Sequence, residues 1–326
     1  MWWLNRRLRS ERGATAVLVG ILLVPLLGCL AIALDVGALY VERAQLQNGA
    51  DSAALAVAQD CADNTVCTNP AGIAATFADS NANDGAANVM TPAFPNAHTV
   101  VITTSTRVAG TNAPAISHPF ASFLGIDSTT VGATATAEWG PPGSGPAVLP
   151  LALSYCDFVA SGGLTGVKVT IFYDENKTCK KDPTSGDIPG GFGWLTQVAG
   201  TCEAYVDFDA ATVPSEPGNS QPADCDATLS TLEGSTILIP IFDESTGTGA
   251  TGFFHLYAFA AFKVTGWKFA GGNKLPFVNV DNYAGCKCNG GNDRFIQGYF
   301  DKWVSVDSSF ELGGVPTNAL IVRLTK

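Results

Sequence analysis

The chain has 326 residues, of which 46% are hydrophobic and 14% charged, and this composition excludes disorder as a description of the whole. Its formal net charge of −11 repels nucleic-acid phosphates and argues against nucleic-acid binding. The length is sufficient for two domains with ordinary cores.

The N-terminus is dominated by an uncharged apolar run from Ala14 to Leu34. At about 1.5 Å per residue, this run spans the roughly 30 Å hydrocarbon core of a bilayer. The segment 1–13 is short and arginine-rich, so the positive-inside bias predicts a cytoplasmic basic tail followed by a transmembrane helix at 14–34. We therefore expect a single-pass protein of the cell membrane whose long C-terminal part is extracytoplasmic.

Two other interpretations of the N-terminus stay open. The string AIA at 31–33 fits a signal-peptidase site, although the apolar run is longer than a usual signal peptide requires. The string LLGC at 26–29 approximates a lipobox, although the residues after Cys29 stay apolar. In the membrane interpretation, Pro25 predicts a kink within the helix.

The helical pattern continues beyond the apolar run. Over residues 35–59, apolar side chains recur at helical spacing, at Leu39, Leu46, Ala50, Ala53 and Val57. A long helix with its first half in lipid and its second half packed on a soluble domain is the plan of pilins. A simple stalk is the alternative.

Several short motifs occur along this N-terminal segment. They are RGA at 12–14, the apolar run with its proline, LDVG at 34–37 followed by Tyr40 and Arg43, and LQNGADSAALA at 46–56. On these motifs, about the first 60 residues closely resemble the N-terminal Tad-like segment of TadG proteins. That family belongs to the Tad (tight adherence, Flp pilus) assembly system.

The resemblance implies a single-pass envelope protein that helps to assemble or anchor a type IVb (Flp) pilus. The related TadE and TadF pseudopilins carry a glutamate five residues after the glycine at which they are cleaved. Counted from Gly13, this position is Leu18, so the TadG-like side of the family is favoured. Some TadG proteins carry a von Willebrand A domain with an Asp-x-Ser-x-Ser metal motif. Neither DESTG at 243–247 nor DSSFE at 307–311 matches it, so no metal site is implied.

The remainder of the chain divides into two predicted domains. Residues 35–140 predict a pilin-like domain of the long helix and a small sheet, with strands at Thr99–Thr106 and Thr129–Ala137 and a short helical or turn segment at Phe120–Gly125. The Pro- and Gly-rich segment 141–146 predicts a linker. Residues 147–326 then form a β-rich extracytoplasmic domain.

The distal domain predicts an all-β sandwich or barrel, because strand-like segments follow one another without long amphipathic helices. These segments are Val167–Tyr173, Thr236–Phe242, His255–Thr265, Phe295–Val306 and Ala319–Leu324. His255–Thr265 is apolar on both faces and is expected to be a central strand. Pro240 predicts an edge position or a bulge. The fold class is therefore α+β.

Cysteine usage agrees with a translocated domain. Cys29 is interpreted as a small apolar residue in the membrane helix. The remaining cysteines form an even set of disulfide candidates, namely Cys61, Cys67, Cys156, Cys179, Cys202, Cys225, Cys286 and Cys288. Their spacing does not select one connectivity, although Cys61 and Cys67 are close enough for a local loop. Cys286 and Cys288 lack the spacing of a zinc site.

Candidate catalytic groups are sparse. His255 is the one histidine of residues 147–326, and we interpret it as a packed strand residue rather than the base of a catalytic triad. The acidic strings at 174–176 and 207–209 do not follow a calcium-loop pattern. GGFG at 190–193 lacks the context of a phosphate loop. We therefore expect no enzymatic activity, no metal and no cofactor.

The sequence supports one leading function and two alternatives. The leading hypothesis is a membrane-anchored scaffold of Flp pilus assembly, whose partners are the membrane, other assembly proteins or pilus subunits, and the cell wall. The second is a surface adhesin or ligand-binding protein that uses a Tad-type anchor, with Trp194, Trp267, Tyr299 and Trp303 as a candidate binding face. The third is a secreted hydrolase.

Overall fold

The computed structural model describes residues 4–64, 66–163, 166–210, 212–216, 221–247, 251–269, 277–278 and 293–325. The chain divides into two compact units, and each is described by itself. The first unit comprises Met1–Asp60, Cys67–Ala137 and Leu324–Lys326. The second comprises Cys61–Val66 and Glu138–Arg323.

The first unit has the predicted order of a long helix followed by a small sheet. Its elements are helix α1 (Leu4–Asn64), helix α2 (Pro70–Asn81), strands β1 (Ala87–Val89), β2 (Ala93–Asn96), β3 (Thr99–Thr106) and β4 (Ile116–Ser117), the 3₁₀ helix η1 (Ala121–Leu124), and strands β5 (Ser128–Thr129) and β6 (Gly132–Gly140). The neighbours in its sheet are β1, β3 and β6, with β2 also paired to β3. The helix α1 continues through Pro25 without interruption.

Local sequence explains these elements. The helix α2 begins where the Asn69 side chain accepts a hydrogen bond from the Gly72 N–H at 3.1 Å, with Pro70 in the first turn. Strand β3 alternates, so that Val100 and Ile102 are buried while their neighbours are partly exposed. Small side chains on α1 and α2 complete the core, and they allow the helices to approach closely.

The second unit is mostly β. Its elements are strands β7 (Pro142–Ala147) and β8 (Leu151–Ser154), helix α3 (Tyr155–Ala160), strands β9 (Val169–Phe172), β10 (Asp174–Cys179), β11 (Ile188–Trp194), β12 (Ala204–Asp207) and β13 (Val213–Pro214), the 3₁₀ helix η2 (Ala223–Cys225), helix α4 (Asp226–Leu229), and strands β14 (Thr236–Thr246), β15 (Phe253–Lys268), β16 (Phe277–Val278), β17 (Phe295–Phe300), β18 (Trp303–Val306), β19 (Glu311–Leu312) and β20 (Ala319–Leu324).

The main sheet of this unit curls back on itself. Its strand order is β10-β11-β8-β14-β15-β17-β9, so β10 and β9 lie at opposite ends. These two strands are nevertheless consecutive in the chain and are separated by Tyr173 alone. Adjacent pairs are antiparallel except β8 with β14, which is parallel. Of the two predicted architectures, this arrangement favours the barrel.

The two faces of this sheet carry different cores. On β14, Ile237, Ile239 and Ile241 belong to one buried cluster, while Leu238 and Phe242 belong to another. The first cluster includes the largest buried aromatics of the unit, and the second includes residues of β12 and β20. Strand β15 is buried on both faces along its middle and lies between β14 and β17, as the predicted central strand requires.

The structure corrects the linker prediction. Residues 142–147 form β7, the middle strand of the sheet β12-β7-β19. Gly145 has a φ of +155°, and a Cβ at this position would lie 2.2 Å from the Phe310 side chain. The glycine therefore allows close packing rather than chain flexibility, and composition alone does not separate these two uses.

Pro240 does not mark an edge strand. Strand β14 lies inside the sheet, with β8 on one side and β15 on the other. Its register with β15 shifts between Ile241 and Phe242 and again between Phe242 and Glu244. The structure therefore contains the irregularity that Pro240 predicted, beginning at the next residue, but not the edge position.

Candidate functional site

The first part of α1, which we name the anchor segment (residues 13–34), is exposed and apolar. No charged residue lies between Ala14 and Leu34. Its large side chains are uncovered, with Val24 exposed by 72% and Leu26 by 68%. Within the described part of the chain, α1 is the one helix long and apolar enough to cross a bilayer. These properties are consistent with a single-pass membrane anchor.

The second part of α1, the docked segment (residues 35–60), is packed against the rest of the first unit. Its buried residues are Asp35, Leu46, Ala50, Ala53, Ala54, Val57 and Ala58, together with Gly49. A Cβ on Gly49 would lie 3.3 Å from the Cα atom of Ala78 in α2, so the glycine brings the two helices together. The Tad-like string at 46–56 thus supplies the docking face. The structure excludes the simple stalk.

Polar contacts hold the docked segment at three levels. Near its start, Asp35 Oδ2 accepts hydrogen bonds from the backbone N–H groups of Ala121 at 2.6 Å and Phe120 at 3.2 Å. Further along, Gln45 Oε1 accepts from the Asn83 N–H at 2.8 Å. The Thr104 hydroxyl then donates to the carbonyl oxygen of Leu46 at 2.9 Å. These contacts fix the register of the helix on its domain, and those of Asp35 and Thr104 satisfy polar side chains that are buried.

The structure describes most of the disulfide candidates. Cys156 is bonded to Cys179 and Cys202 to Cys225, each pair with a sequence separation of 23. Cys61 and Cys67 are also disulfide-bonded. Cys29 is a free, exposed thiol on the anchor segment. Cys286 and Cys288 lie outside the described residues.

A charge cluster around one buried carboxylate lies beside the Cys156–Cys179 bond. The buried carboxylate of Asp157 in α3 accepts a hydrogen bond from the Gly191 N–H at 2.7 Å and forms an ion pair with Lys177. The Lys177 ammonium also lies 2.5 Å from Glu175 Oε2. The cluster therefore ties α3 to the β10–β11 hairpin. Sequence reasoning missed Asp157 and Lys177, although an aspartate within the apolar string YCDFVA was a usable signal.

Asp157 makes stability depend on pH. Burial raises its pKa to about 6, against the hydrogen bond from Lys177, which lowers it. The native state therefore binds a proton that the unfolded chain has released, so the free energy of unfolding falls as pH rises from about 4 through about 6. We expect Asp157→Asn to remove this change in the free energy of unfolding, which amounts to about 2–3 kcal/mol over that pH range.

The measurement is urea unfolding of the full chain in detergent at several pH values, followed by tryptophan fluorescence. Asp187→Asn is the matched control, since Asp187 lies between β10 and β11 but its side chain is 68% exposed. A pH profile for Asp157→Asn that coincides with that of the unmodified chain would contradict the assignment.

The interpretation of His255 as a packed strand residue is wrong. Its side chain is 44% exposed, and Nδ1 lies 2.5 Å from Asp243 Oδ1. The other Asp243 oxygen accepts from Lys181 Nζ at 2.6 Å. The cause is the irregularity in β14, where Asp243 is left out of the register with β15 and lies beside His255. Neither His255 nor Asp243 hydrogen-bonds a serine or threonine hydroxyl among the described residues, so the pair is not part of a formed triad.

The acidic strings occupy structural positions. Glu175 Oε1 accepts from the Phe172 N–H at 2.9 Å, and Asp207 Oδ1 accepts from the Asp209 N–H at 3.0 Å within a turn. Over the described ranges, no group of three or more His, Cys, Asp or Glu residues is arranged to hold a metal ion.

The aromatic residues proposed for a binding face do not form one. Trp194 and Trp267 are fully buried, and Tyr299 and Trp303 are partly buried. Trp194 packs edge-on against Phe192 and Phe269, with ring centroids 6.0 and 5.0 Å apart. These two tryptophans therefore belong to the core of the second unit.

Comparison with known proteins gives one match. Residues 13–60 match the sequence model of the Tad family, described as Flp pilus-assembly TadE/G-like. No curated protein and no solved structure matches the chain. The matched residues are the anchor segment together with the docked segment, so this part of the chain is similar to the TadE/G-like family, as its motifs predict.

Proposed function

We propose that this protein is a membrane-anchored structural component of Tad (Flp) pilus assembly, and that it is not an enzyme. The observation that carries the proposal is the match of residues 13–60 to the Tad family. The same residues form an exposed apolar helix that continues into a docked one. In this proposal the anchor segment holds the protein in the membrane, with the N-terminus in the cytoplasm and the residues after the anchor segment outside.

The second unit acts in this proposal as a rigid scaffold that contacts other assembly proteins, pilus subunits or the cell wall. Its disulfides suit an oxidising compartment outside the cytoplasm. Its double-faced core and the ion pair of the buried Asp157 support rigidity. Rigidity of the domain is the property that a scaffold requires.

A ligand-binding role for the second unit is the other candidate. It is favoured by a cleft of about 210 Å³ lined by Tyr173, Ser215, Glu216 and Phe253, among others. It is opposed by the burial of Trp194 and Trp267, which leaves no exposed tryptophan pair at the predicted face. Ligand binding by a protein whose removal leaves piliation normal would favour this alternative.

The test is complementation of a strain from which the gene has been deleted. We expect the full chain to restore pili, counted by electron microscopy, and a chain in which residue 137 is joined directly to residue 324 not to restore them. That deletion removes residues 138–323 and retains the C-terminal residues of the first unit, where the Thr325 N–H donates to the Thr136 carbonyl at 2.9 Å. Immunoblotting of the membrane fraction verifies that the shortened chain is inserted.

Each contrary result removes a different part of the proposal. Normal pili in the deletion strain itself would contradict any role in pilus assembly. Normal pili with the shortened chain would contradict only the scaffold role of the second unit.

A further inference from the structure

The loop between β4 and β5 is apolar and exposed. We name residues 119–126 the interface loop. No charged residue occurs within it, and its flanks are His118 and Asp127. Phe120 and Ile126 expose 43% and 52% of their surface. An aromatic and a branched aliphatic side chain exposed on the same uncharged loop indicate a surface that contacts another phase or molecule.

The interface loop is held in one conformation at its base. Strands β4 and β5 pair with Ile116 opposite Thr129. The His118 N–H donates to the Asp127 carbonyl at 2.8 Å, and His118 Nε2 lies 2.8 Å from the Thr129 hydroxyl. At the tip, Gly125 ends η1 in the left-handed conformation. The exposed side chains are therefore presented by a formed turn.

The contacts of Asp35 place this loop at the end of the anchor segment. Asp35 directly follows Leu34, the last residue of the apolar run. Its buried carboxylate accepts both the Phe120 and the Ala121 N–H groups. Helical side chains tilt toward the helix N-terminus, which here is the side of the apolar run. The loop therefore lies level with Asp35 or closer to the apolar run.

A second observation places the interface loop at the same level along α1. Across residues 13–34, for all of which exposure is described, Ala31 is the one residue that is partly shielded, whereas Ala14, Ala16 and Ala33 are exposed. Ala31 lies one turn before Asp35 on the same face of α1. Ala31 is therefore shielded on the face of α1 where Asp35 holds the loop, and it lies one turn inside the apolar run.

We propose that the interface loop inserts into the headgroup boundary of the bilayer that the anchor segment crosses. The proposal rests on the proposed role of α1 as a membrane anchor. The occupant is lipid because the loop continues the apolar surface of the span at its outer end. An uncharged loop with an exposed phenylalanine suits the headgroup boundary, into which apolar surfaces with Trp, Phe and Leu side chains insert. The loop then sets the orientation of the first unit at the membrane surface.

The test uses the full chain in phosphatidylcholine nanodiscs that contain a phosphatidylcholine with a photoreactive diazirine near the ester end of one acyl chain. Lipid adducts are located by mass spectrometry after irradiation. We expect adducts in two places, residues 13–34 and residues 119–126. Phe94 in β2 is the internal control, because it is 41% exposed on the same unit and its strand pairs with β3.

Variants separate insertion from simple proximity. Phe120→Asp combined with Ile126→Asp places charge on exposed positions, and we expect the adducts at 119–126 to be lost while those at 13–34 persist. Phe94→Asp is the matched variant and is expected to change neither set. Asp35→Ala removes the acceptor of the two loop N–H groups, and adducts in the loop should decrease.

Three outcomes would overturn the inference. Adducts at 13–34 without any at 119–126 would contradict insertion of the loop and leave the anchor intact. Adducts at 119–126 that persist in the variant with Phe120→Asp and Ile126→Asp would show proximity to lipid without insertion of these side chains. An absence of adducts at 13–34 would contradict the anchor itself, and with it the proposed function.

Discussion

Replacing Gly191 with alanine is expected to destabilise the second unit by about 3 kcal/mol or more, one of the largest effects available from a single methyl group. Gly191 has a φ of +98°, which an L side chain rarely adopts. A Cβ there would lie 2.6 Å from the carbonyl oxygen of Tyr173 and 2.7 Å from that of Phe172. These are backbone atoms at the corner where the sheet curls back, so the clash is relieved only by moving the corner.

The same substitution also affects the charge cluster. The Gly191 N–H donates to Asp157, so a shift of this backbone withdraws a hydrogen bond from a buried carboxylate. Urea unfolding of the full chain, followed by tryptophan fluorescence, measures the effect. Gly186→Ala is the matched control. Gly186 lies between β10 and β11, and a Cβ at this position meets nothing within 4 Å. Equal unfolding midpoints for the two variants would show that the corner relaxes freely.

Removal of the Cys202–Cys225 bond is expected to cause the second large loss of stability. Its sequence separation of 23 corresponds, in the chain-entropy account, to a loss of about 3 kcal/mol. Both cysteines are buried in the main core, so Cys202→Ala with Cys225→Ala also removes packed sulfur atoms. We expect the double variant to unfold at a clearly lower urea concentration and to restore fewer pili in the complementation assay.

Two further variants serve as comparisons for this prediction. Cys29→Ala changes a free, exposed thiol and is expected to leave unfolding unchanged. The Cys156–Cys179 pair has the same separation of 23, so chain entropy predicts an equal loss for its removal. Strongly unequal losses would show that native packing, rather than the freedom of the unfolded chain, sets the contribution of each bond.

Local patterns predicted the elements better than their contacts. A run of β-branched residues correctly predicted β3, and a two-faced apolar run correctly predicted β15 as central. The Pro- and Gly-rich string at 141–146 was assigned to a linker because composition does not record what packs against a glycine. Phe310, more than 160 residues later, makes Gly145 a packing site. The distance in sequence between these partners is the reason that the pattern failed.

Side-chain clusters were the least predictable feature. Asp157, Lys177 and Gly191 lie far apart in sequence, and only the α3 and β10–β11 arrangement brings them together. His255 was assigned to packing from its apolar neighbours, but the irregular register at Asp243 gave it a polar partner. A shift of one residue moves a side chain to the other face of a sheet, and alternation in one strand does not reveal such a shift.

The amino-acid sequence was sufficient to predict the anchor segment, the continuation of its helix and the similarity of residues 13–60 to the Tad family. These features depend on length, hydrophobicity and near-neighbour spacing, which are local properties. Tertiary structure alone decided how the sheet curls at Tyr173, which carboxylates are buried, and that the loop at Phe120 is tied to Asp35. Each of these depends on contacts between residues distant in the chain, whose free energies exist only once the chain has folded.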